Sequence, residues 1–556
     1  MSLVAIISTI LALLNVANSE VVVELANGQI RGRIETTYNN VTFYAFQEIP
    51  FAKPPLGDLR FMAPQPVDDW EGILDCTKET KICRQISKND PMENEDCLYV
   101  NVYSPVKPGT DPVLPVMYNI YGGGFNHGSN RFADSGPHYF MEQGVIIVTV
   151  NYRTGPLGFL STEDAVIPGN NGLRDQNFGL QWIQNNIHLF GGDPKKVTIF
   201  GQSAGGASVT YQILSKQSKG LFRAAIAQSG SALNPWTYQR HAKNIAYQFA
   251  AQFDPTFTTN QTSQELLELL QNVPEDQLAE VSSSFSPEGI SSEQIIQGYY
   301  WAPVIEPTHQ QAFLTDRQYG ILESGDFNKV PLIIGICSEE SLQRALDQES
   351  FQKNVANYEK DIQNLVNEDL HLTNEVALTR VGEQIRKIYT DGELSSNLSS
   401  AVRFYSDTSF TRAIRRYAEI QSQFTDVYFY QFSYFGEMSR FTEIDLPGAG
   451  KVPHVGDNHY LWTINNNSNV HIYPVADALT SRRYVKLFTD FSKYLNPTPE
   501  ETSLMQNLIW PKVNSSSFLY LDIDENLEVK LNPKNESYTG WVDVYDTWAV
   551  KPYDTY

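Results

Sequence analysis

Metal-binding, nucleic-acid and membrane-spanning signatures are scarce in this sequence. Its 556 residues include four cysteines and nine histidines. No CxxC, no HExxH and no Cys/His cluster occurs, so no zinc ligand set can be assembled from it. Cationic side chains are in deficit, 41 Lys and Arg against 64 Asp and Glu, for a net charge of -23. Phosphate-rich and anionic-membrane surfaces would repel such a chain, which argues against nucleic-acid binding. The charge marks a soluble, mutually repelling protein and names no substrate. Beyond the N-terminus no apolar run reaches the roughly 20 residues of a spanning helix. Internal repeats, low-complexity linkers and charge blocks are also missing, so residues 20–556 are expected to form one domain.

The N-terminus is the exception to this polarity. MSLVAIISTILALLNVANSE is apolar from Leu3 to Leu14, then places the small residues Ala17 and Ser19 where signal peptidase accepts them. A signal peptide over residues 1–19 is expected, with cleavage between Ser19 and Glu20. The run is too short, and lacks the stop-transfer charge, for a membrane anchor. The end of the sequence, WAVKPYDTY, shows neither a retention signal nor a lipid-anchor tail, and the mature chain is expected to be released outside the cell. In that compartment the sequons at Asn40, Asn260, Asn397, Asn466, Asn514 and Asn535 become usable, and glycosylation at several is expected. Disulfides also become stable there, but Cys76, Cys83, Cys97 and Cys337 allow three full pairings and spacing does not choose among them.

What the sequence does contain is an alternation. Short β-rich runs (VVVEL, VTFYAF, YVNVYS, PVMYNIYG, VIIVTVNY, VTIFG, AAIAQSG, VPLIIGIC, VYFYQFSY) are separated, from NVYS onward, by stretches of helical periodicity. The clearest is GLQWIQNNIHLF, where Leu180, Ile183, Ile187 and Phe190 share a face. Such alternation predicts an α/β fold with a mostly parallel sheet covered by helices.

One turn in that pattern carries chemistry. Val197–Gly201 reads as a strand, Gly201-Gln202-Ser203-Ala204-Gly205 as a turn, and ASVTYQIL as a helix. A Gly-x-Ser-x-Gly pentad should arise by chance only about 0.15 times in such a chain, and its strand-turn-helix setting is that of a nucleophile elbow. Acyl transfer also needs donors for an oxyanion, and NIYGGGF (119–125) follows a strand ahead of the elbow. Gly123, Gly124 and the Ala204 amide are the candidates; a dinucleotide-binding reading of the same glycines fails because His127 occupies the last glycine position. In this type of triad the order is Ser, then acid, then His. That order removes His127, His138 and His188, while His241 and His309 leave little room for an acid-bearing strand. His371, His454, His459 and His471 remain. The acid is Glu339 or Glu340, at the end of VPLIIGICSEE.

With those residues in view, the chain resembles the type-B carboxylesterase and cholinesterase family from about Gly28 to its end. Both family signatures are present, FGGDPKKVTIFGQSAG (190–205) and EDCLYVNVYSP (95–105), with FAKPPLGDLRF, NYRTGPLGFL, GNNGLRDQNFGLQWIQNNI and SGSALNPW beside them. The resemblance implies an α/β-hydrolase fold, one large domain, and an ester hydrolase needing no cofactor or metal. It selects Glu340, five residues after Gly335, although Ser341 stands where the family has Gly. It selects His454, with Asp457 and Tyr460 at the family spacing, and leaves His459 as an ordinary structural or surface histidine. It pairs Cys83 with Cys97 and gives Cys76 and Cys337 no counterparts; a buried free thiol acting as a small apolar residue is expected at Cys337. It places Ser229 behind the triad and Trp236 in the acyl pocket.

Gln202 narrows the substrate. Cholinesterases and most carboxylesterases carry Glu there, and cholinesterases an aromatic platform on the loop that is short and Trp-free here between Cys83 and Cys97. The GQSAG form is similar to juvenile hormone esterases; Arg60-Phe61, Asp175-Gln176 and the His454/Asp457 spacing fit that group too but are shared by most of the wider family, and Lys451 replaces the group's usual Gly. The expected function is a secreted insect-type carboxylesterase acting on hydrophobic esters such as xenobiotics, odorants or pheromones. A juvenile hormone esterase is the alternative. A relative that has lost activity, or one that only sequesters esters, is the reading from another class.

Overall fold

Strands buried along their whole length need cover on both faces, and helices on each side of the sheet provide it. The computed structural model describes residues 21–86, 90–111, 113–465, 468–514 and 517–556. The expected signal peptide and the sequon at Asn466 fall outside the described residues. Ile146–Val150, Ala224–Gln228 and Leu332–Cys337 are buried at every position. They lie in a 13-stranded sheet. Its parallel part runs, in spatial order, Ile146–Val150, Leu114–Ile120, Gly192–Gln202, Ala224–Gln228, Leu332–Cys337, Val427–Phe432 and Leu519–Ile523. Antiparallel strands close both edges, from Tyr99–Ser104 out to Val21–Leu25 on one side and Leu527–Leu531 on the other.

The period of two along each strand divides the core. Val116, Tyr118 and Ile120 join one buried layer, while Met117, between them, joins the other. Gly192–Gln202 sits centrally, with Leu114–Ile120 on one flank and Ala224–Gln228 on the other, so the loops after all three strands open at one edge of the sheet.

Helix Asn171–Asn186 brings Leu180 and Ile183 onto this sheet, as their spacing predicts. Ile187 and Phe190 are buried too, but on a 3-10 turn, because Gly191 at φ 87° closes the helix in a left-handed cap. Cys83 and Cys97 are bonded, and Cys76 and Cys337 are buried free thiols. Asn40, Asn260, Asn397, Asn514 and Asn535 are exposed. Among the described residues no helix is long and apolar enough to cross a membrane.

Helices Leu398–Ser406 and Arg412–Gln421 are joined by the π-helical turn Asp407–Thr411. The wider turn releases backbone carbonyls: Ser409 O accepts from Asn234 Nδ2 at 2.8 Å and from Trp236 Nε1 at 2.6 Å. Asp407, at its start, is 2% exposed. Burial pushes its carboxyl up to about 6, against the hydrogen bond of Ser537 and the charge of Lys534, with Glu339 raising it further. Tyr389 OH donates to its Oδ2 at 3.1 Å. A raised folded-state value means that stability is fully present below the unfolded value near 3.8 and is lost as pH rises through about 6. Asp407→Asn, which keeps the acceptor and cannot ionise, is therefore expected to stabilise the protein by up to about 3 kcal/mol above pH 6 and by little below pH 4. Urea unfolding of both proteins at pH 4 and pH 8 checks this.

Candidate active site

Ser203 is held in a backbone conformation that few L-residues occupy, φ 60° and ψ -124°, between the strand ending at Gln202 and helix Ala204–Leu214. The turn is locked on both sides: Ser203 N donates to Gln228 O at 2.8 Å and Ala207 N to Ser203 O at 2.9 Å. Packing explains the glycine of the pentad, because a Cβ on Gly205 would drive into the Ile120 carbonyl. The hydroxyl is thereby presented at the first turn of a helix and at the open edge of the sheet.

His454 completes the contact. Ser203 Oγ lies 2.8 Å from His454 Nε2, and His454 Nδ1 lies 2.7 Å from Glu340 Oε2. A carboxylate facing Nδ1 places the ring proton there, leaving Nε2 to accept from the serine hydroxyl. The loop is pinned by His454 N donating to Glu340 O at 3.0 Å. Glu340 is 2% exposed, and its other oxygen accepts from Ser229 Oγ at 2.7 Å and Cys337 N at 2.8 Å. Glu339 turns the opposite way, accepting from Gly450 N at 3.1 Å with Lys534 Nζ 3.5 Å away. At Ser341, where the resemblance implies glycine, φ is -97°, so the backbone has no need of one.

The remaining histidines have other surroundings. His371 lies 3.3 Å from Asp554, and the His471 ring lies tilted against Tyr38, 5.5 Å between centroids. Burial, with the Arg440 charge second, pushes His459 down to about 4. Asp175 pairs with Arg153 and Arg60 with Glu95, ion pairs of the scaffold. Lys451 is a surface residue 3.7 Å from Glu443.

Gly123 and Gly124 have φ of 114° and 59°, and a Cβ on Gly123 would strike the His127 carbonyl. Among the described residues the amides of Gly123, Gly124 and Ala204 donate to no protein acceptor. Ser203, Gly123 and Gly124 line one cavity of about 530 Å³. Trp236, Ile295, Tyr299 and Phe410 give it an apolar lining, and Gln85, Asp90, Arg131 and Asp134 a polar one. Phe410 lies 4.4 Å from the His454 ring and 5.6 Å from Trp236, centroid to centroid. Gln202 also lines the cavity, its Nε2 3.3 Å from His454 Nε2. Among the described residues no group of three or more His, Cys, Asp or Glu side chains is placed to hold a metal.

Several of these contacts escape sequence reasoning. Ile295, Tyr299 and Phe410 belong to no motif. Asp457 enters the sequence argument only as a spacing marker, yet it is fully buried and accepts from Tyr484 OH at 2.7 Å, Gln228 Nε2 at 3.0 Å and Tyr430 OH at 3.4 Å. Burial raises its carboxyl above the ordinary range. Cys337 is more than the apolar filler expected of it: its Sγ lies 3.7 Å from Asp457 Oδ1 while its amide holds Glu340.

Three comparisons with known proteins bear on the family and the fold. The family model described as the Carboxylesterase family matches residues 19–541. A venom carboxylesterase-6 from Apis mellifera is 31% identical over 91% of each chain. A juvenile hormone esterase from Tribolium castaneum is 33% identical over 88% of this chain and 85% of its own. The crystal structure of the juvenile hormone esterase from Manduca sexta, with OTFP covalently attached, superposes with a TM-score of 0.82 at 27% identity, covering 95% of this chain and all of that one.

Ser229→Ala removes a donor from a buried carboxylate, a loss of about 1.5–3 kcal/mol. It is expected to slow fluorophosphonate labelling of Ser203 roughly ten- to hundredfold, read from the inactivation rate constant.

Proposed function

We propose, on the premise that the chain belongs to the carboxylesterase family and is a carboxylic ester hydrolase, that it is secreted and cleaves hydrophobic esters through an acyl-enzyme on Ser203. The observation that carries this reading is the unbroken line from Ser203 Oγ through both His454 nitrogens to Glu340. In the cycle His454 takes the serine proton as Oγ attacks the ester carbonyl. The amides of Gly123, Gly124 and Ala204 receive the oxyanion, each donor being worth about 10²–10³ in turnover. His454 then protonates the leaving alcohol, and water releases the acid by the same route. Glu340 holds the ring through Nδ1.

The apolar lining of Trp236, Tyr299 and Phe410 supports a hydrophobic group on the substrate. Secretion is supported by the leader-like residues 1–19, the exposed sequon asparagines and the Cys83–Cys97 disulfide. Juvenile hormone esterase is the second reading for substrate, favoured by uncharged Gln202 and by the two juvenile hormone esterases described above. Relatives with broader names match equally well, so a general carboxylesterase ranks first.

Fluorophosphonate should label the wild type and not Ser203→Ala; an unlabelled wild type removes the enzymatic reading. Labelling with a burst but no steady turnover would identify a sequestering protein instead. The ratio of kcat/KM for juvenile hormone to that for short-acyl nitrophenyl esters then ranks the two substrate readings. A ratio well below one is the expected result.

A further inference from the structure

We infer that Gln202 is a positioning residue for the second half of the cycle, holding the His454 imidazole and the attacking water once Ser203 is acylated. The inference rests on the Ser203-His454-Glu340 reading above and adds a division of labour within it. In the free protein two donors converge on His454 Nε2, Ser203 Oγ at 2.8 Å and Gln202 Nε2 at 3.3 Å. The neutral ring offers one lone pair there, and the shorter hydroxyl contact takes it. The amide is the subordinate partner.

Acylation reverses that ranking. Oγ becomes an ester oxygen with no hydrogen to donate, and Nε2 would be left without its serine partner. Gln202 still reaches the ring from the residue beside the nucleophile. Its side chain also borders the oxyanion loop: a Cβ on Gly122 would lie 3.0 Å from Gln202 Oε1 and 3.0 Å from Ser203 Cβ. An arriving water displaces the amide N–H from that single lone pair, donating one hydrogen to Nε2 and the other to Oε1, and is then held between two acceptors beside the acyl carbon. In the step itself the water oxygen bonds to that carbon while its proton passes to Nε2. The carbon–Oγ bond then breaks, the proton moves from Nε2 to Oγ, and the carboxylic acid leaves.

A primary amide suits both states of the ring. It donates to neutral Nε2 and, after a half-turn about its last bond, accepts from a protonated one. A carboxylate at this position can only accept and adds a charge; a hydrocarbon does neither.

Stopped-flow hydrolysis of a nitrophenyl ester separates the halves, the burst reporting acylation and the steady state deacylation. Gln202→Met is expected to lower steady-state kcat at least about tenfold and to leave the burst rate within about twofold. Equal losses in both phases, or no loss in either, would overturn the inference. Gln202→Glu guards against a folding defect. It keeps the side-chain length and an acceptor, so kcat should approach the wild-type value at high pH, with the acid side of the profile moved about one pH unit upward. Deacylation as slow as in Gln202→Met at every pH would equally overturn it. If neither variant nor wild type is labelled at Ser203, the failure belongs to the triad reading.

Discussion

The parallel ladder at the sheet's open edge is the constraint on which the site depends. Gln202 is in register with Gln228, and Gln228 with Gly335, so three strands lie in step at this edge, the third running on to Cys337. The next hydrogen bonds continue that alignment beyond the strands, Ser203 N to Gln228 O and Ser229 N to Gly335 O. The nucleophile candidate, the donor behind the acid and the segment leading to the acid are thus set by backbone pairing before any side chain is chosen. On the other flank Gly201 is in register with Ile120, which places the Gly122–Gly124 loop beside Ser203. Side-chain-free contacts at Gly205 are what this closeness demands, since strand, turn and helix meet at the Ile120 carbonyl.

Behind this edge the protein buries two carboxylates, Glu340 and Asp457, and solvates both with neutral donors. Glu340 has Ser229 Oγ and the Cys337 amide besides His454; Asp457 has Tyr484, Gln228 and Tyr430. Unpaired buried charge is costly, and each of these hydrogen bonds offsets part of that cost. Cys337 is the hinge between the two sets. Burial and the neighbouring acids push its thiol far up, so it stays protonated and inert where a thiolate would add a third negative group. The arrangement sets His454 between the buried Glu340 carboxyl group and the cavity, a natural place for charge to develop during reaction.

How far the sequence discloses all this depends on the range of the contacts. The elbow, the glycine loop and the parallel runs are local patterns with local causes, and they read directly. Glu340 and His454 lie far from Ser203 in the chain, and periodicity alone leaves two glutamates and four histidines; only the family's spacing selects among them. Phe410 and Tyr299 are beyond either approach. Phe410 reaches the cavity through a π-turn whose stability comes from Asn234 and Trp236, more than 170 residues earlier in the chain. The C-terminal pair Leu519–Ile523 and Leu527–Leu531 is likewise missing from the strand runs found in the sequence. Its second strand, LEVKL, alternates apolar and charged residues, but it is only five residues long and exposed beyond Leu527, so pairing to its neighbour rather than burial makes it a strand.

Reaction and selection are therefore built from different material, but they are not independent. The strand ends carry the reacting groups, whereas the walls come from the loop with Trp236, the segment with Ile295 and Tyr299, and the π-turn. Phe410 joins the two systems, because its ring lies against His454 while its turn receives the Trp236 indole. A smaller residue at Phe410 would enlarge the cavity and also free the imidazole to tilt, so a gain in substrate breadth there carries a loss of base orientation. Tyr299 lies against Trp236 and the Gly124 backbone, and Ile295 lines the same wall, with no ring stacked on His454 from either. The route by which such a fold changes its ester without loosening its base runs through that segment and leaves the π-turn alone.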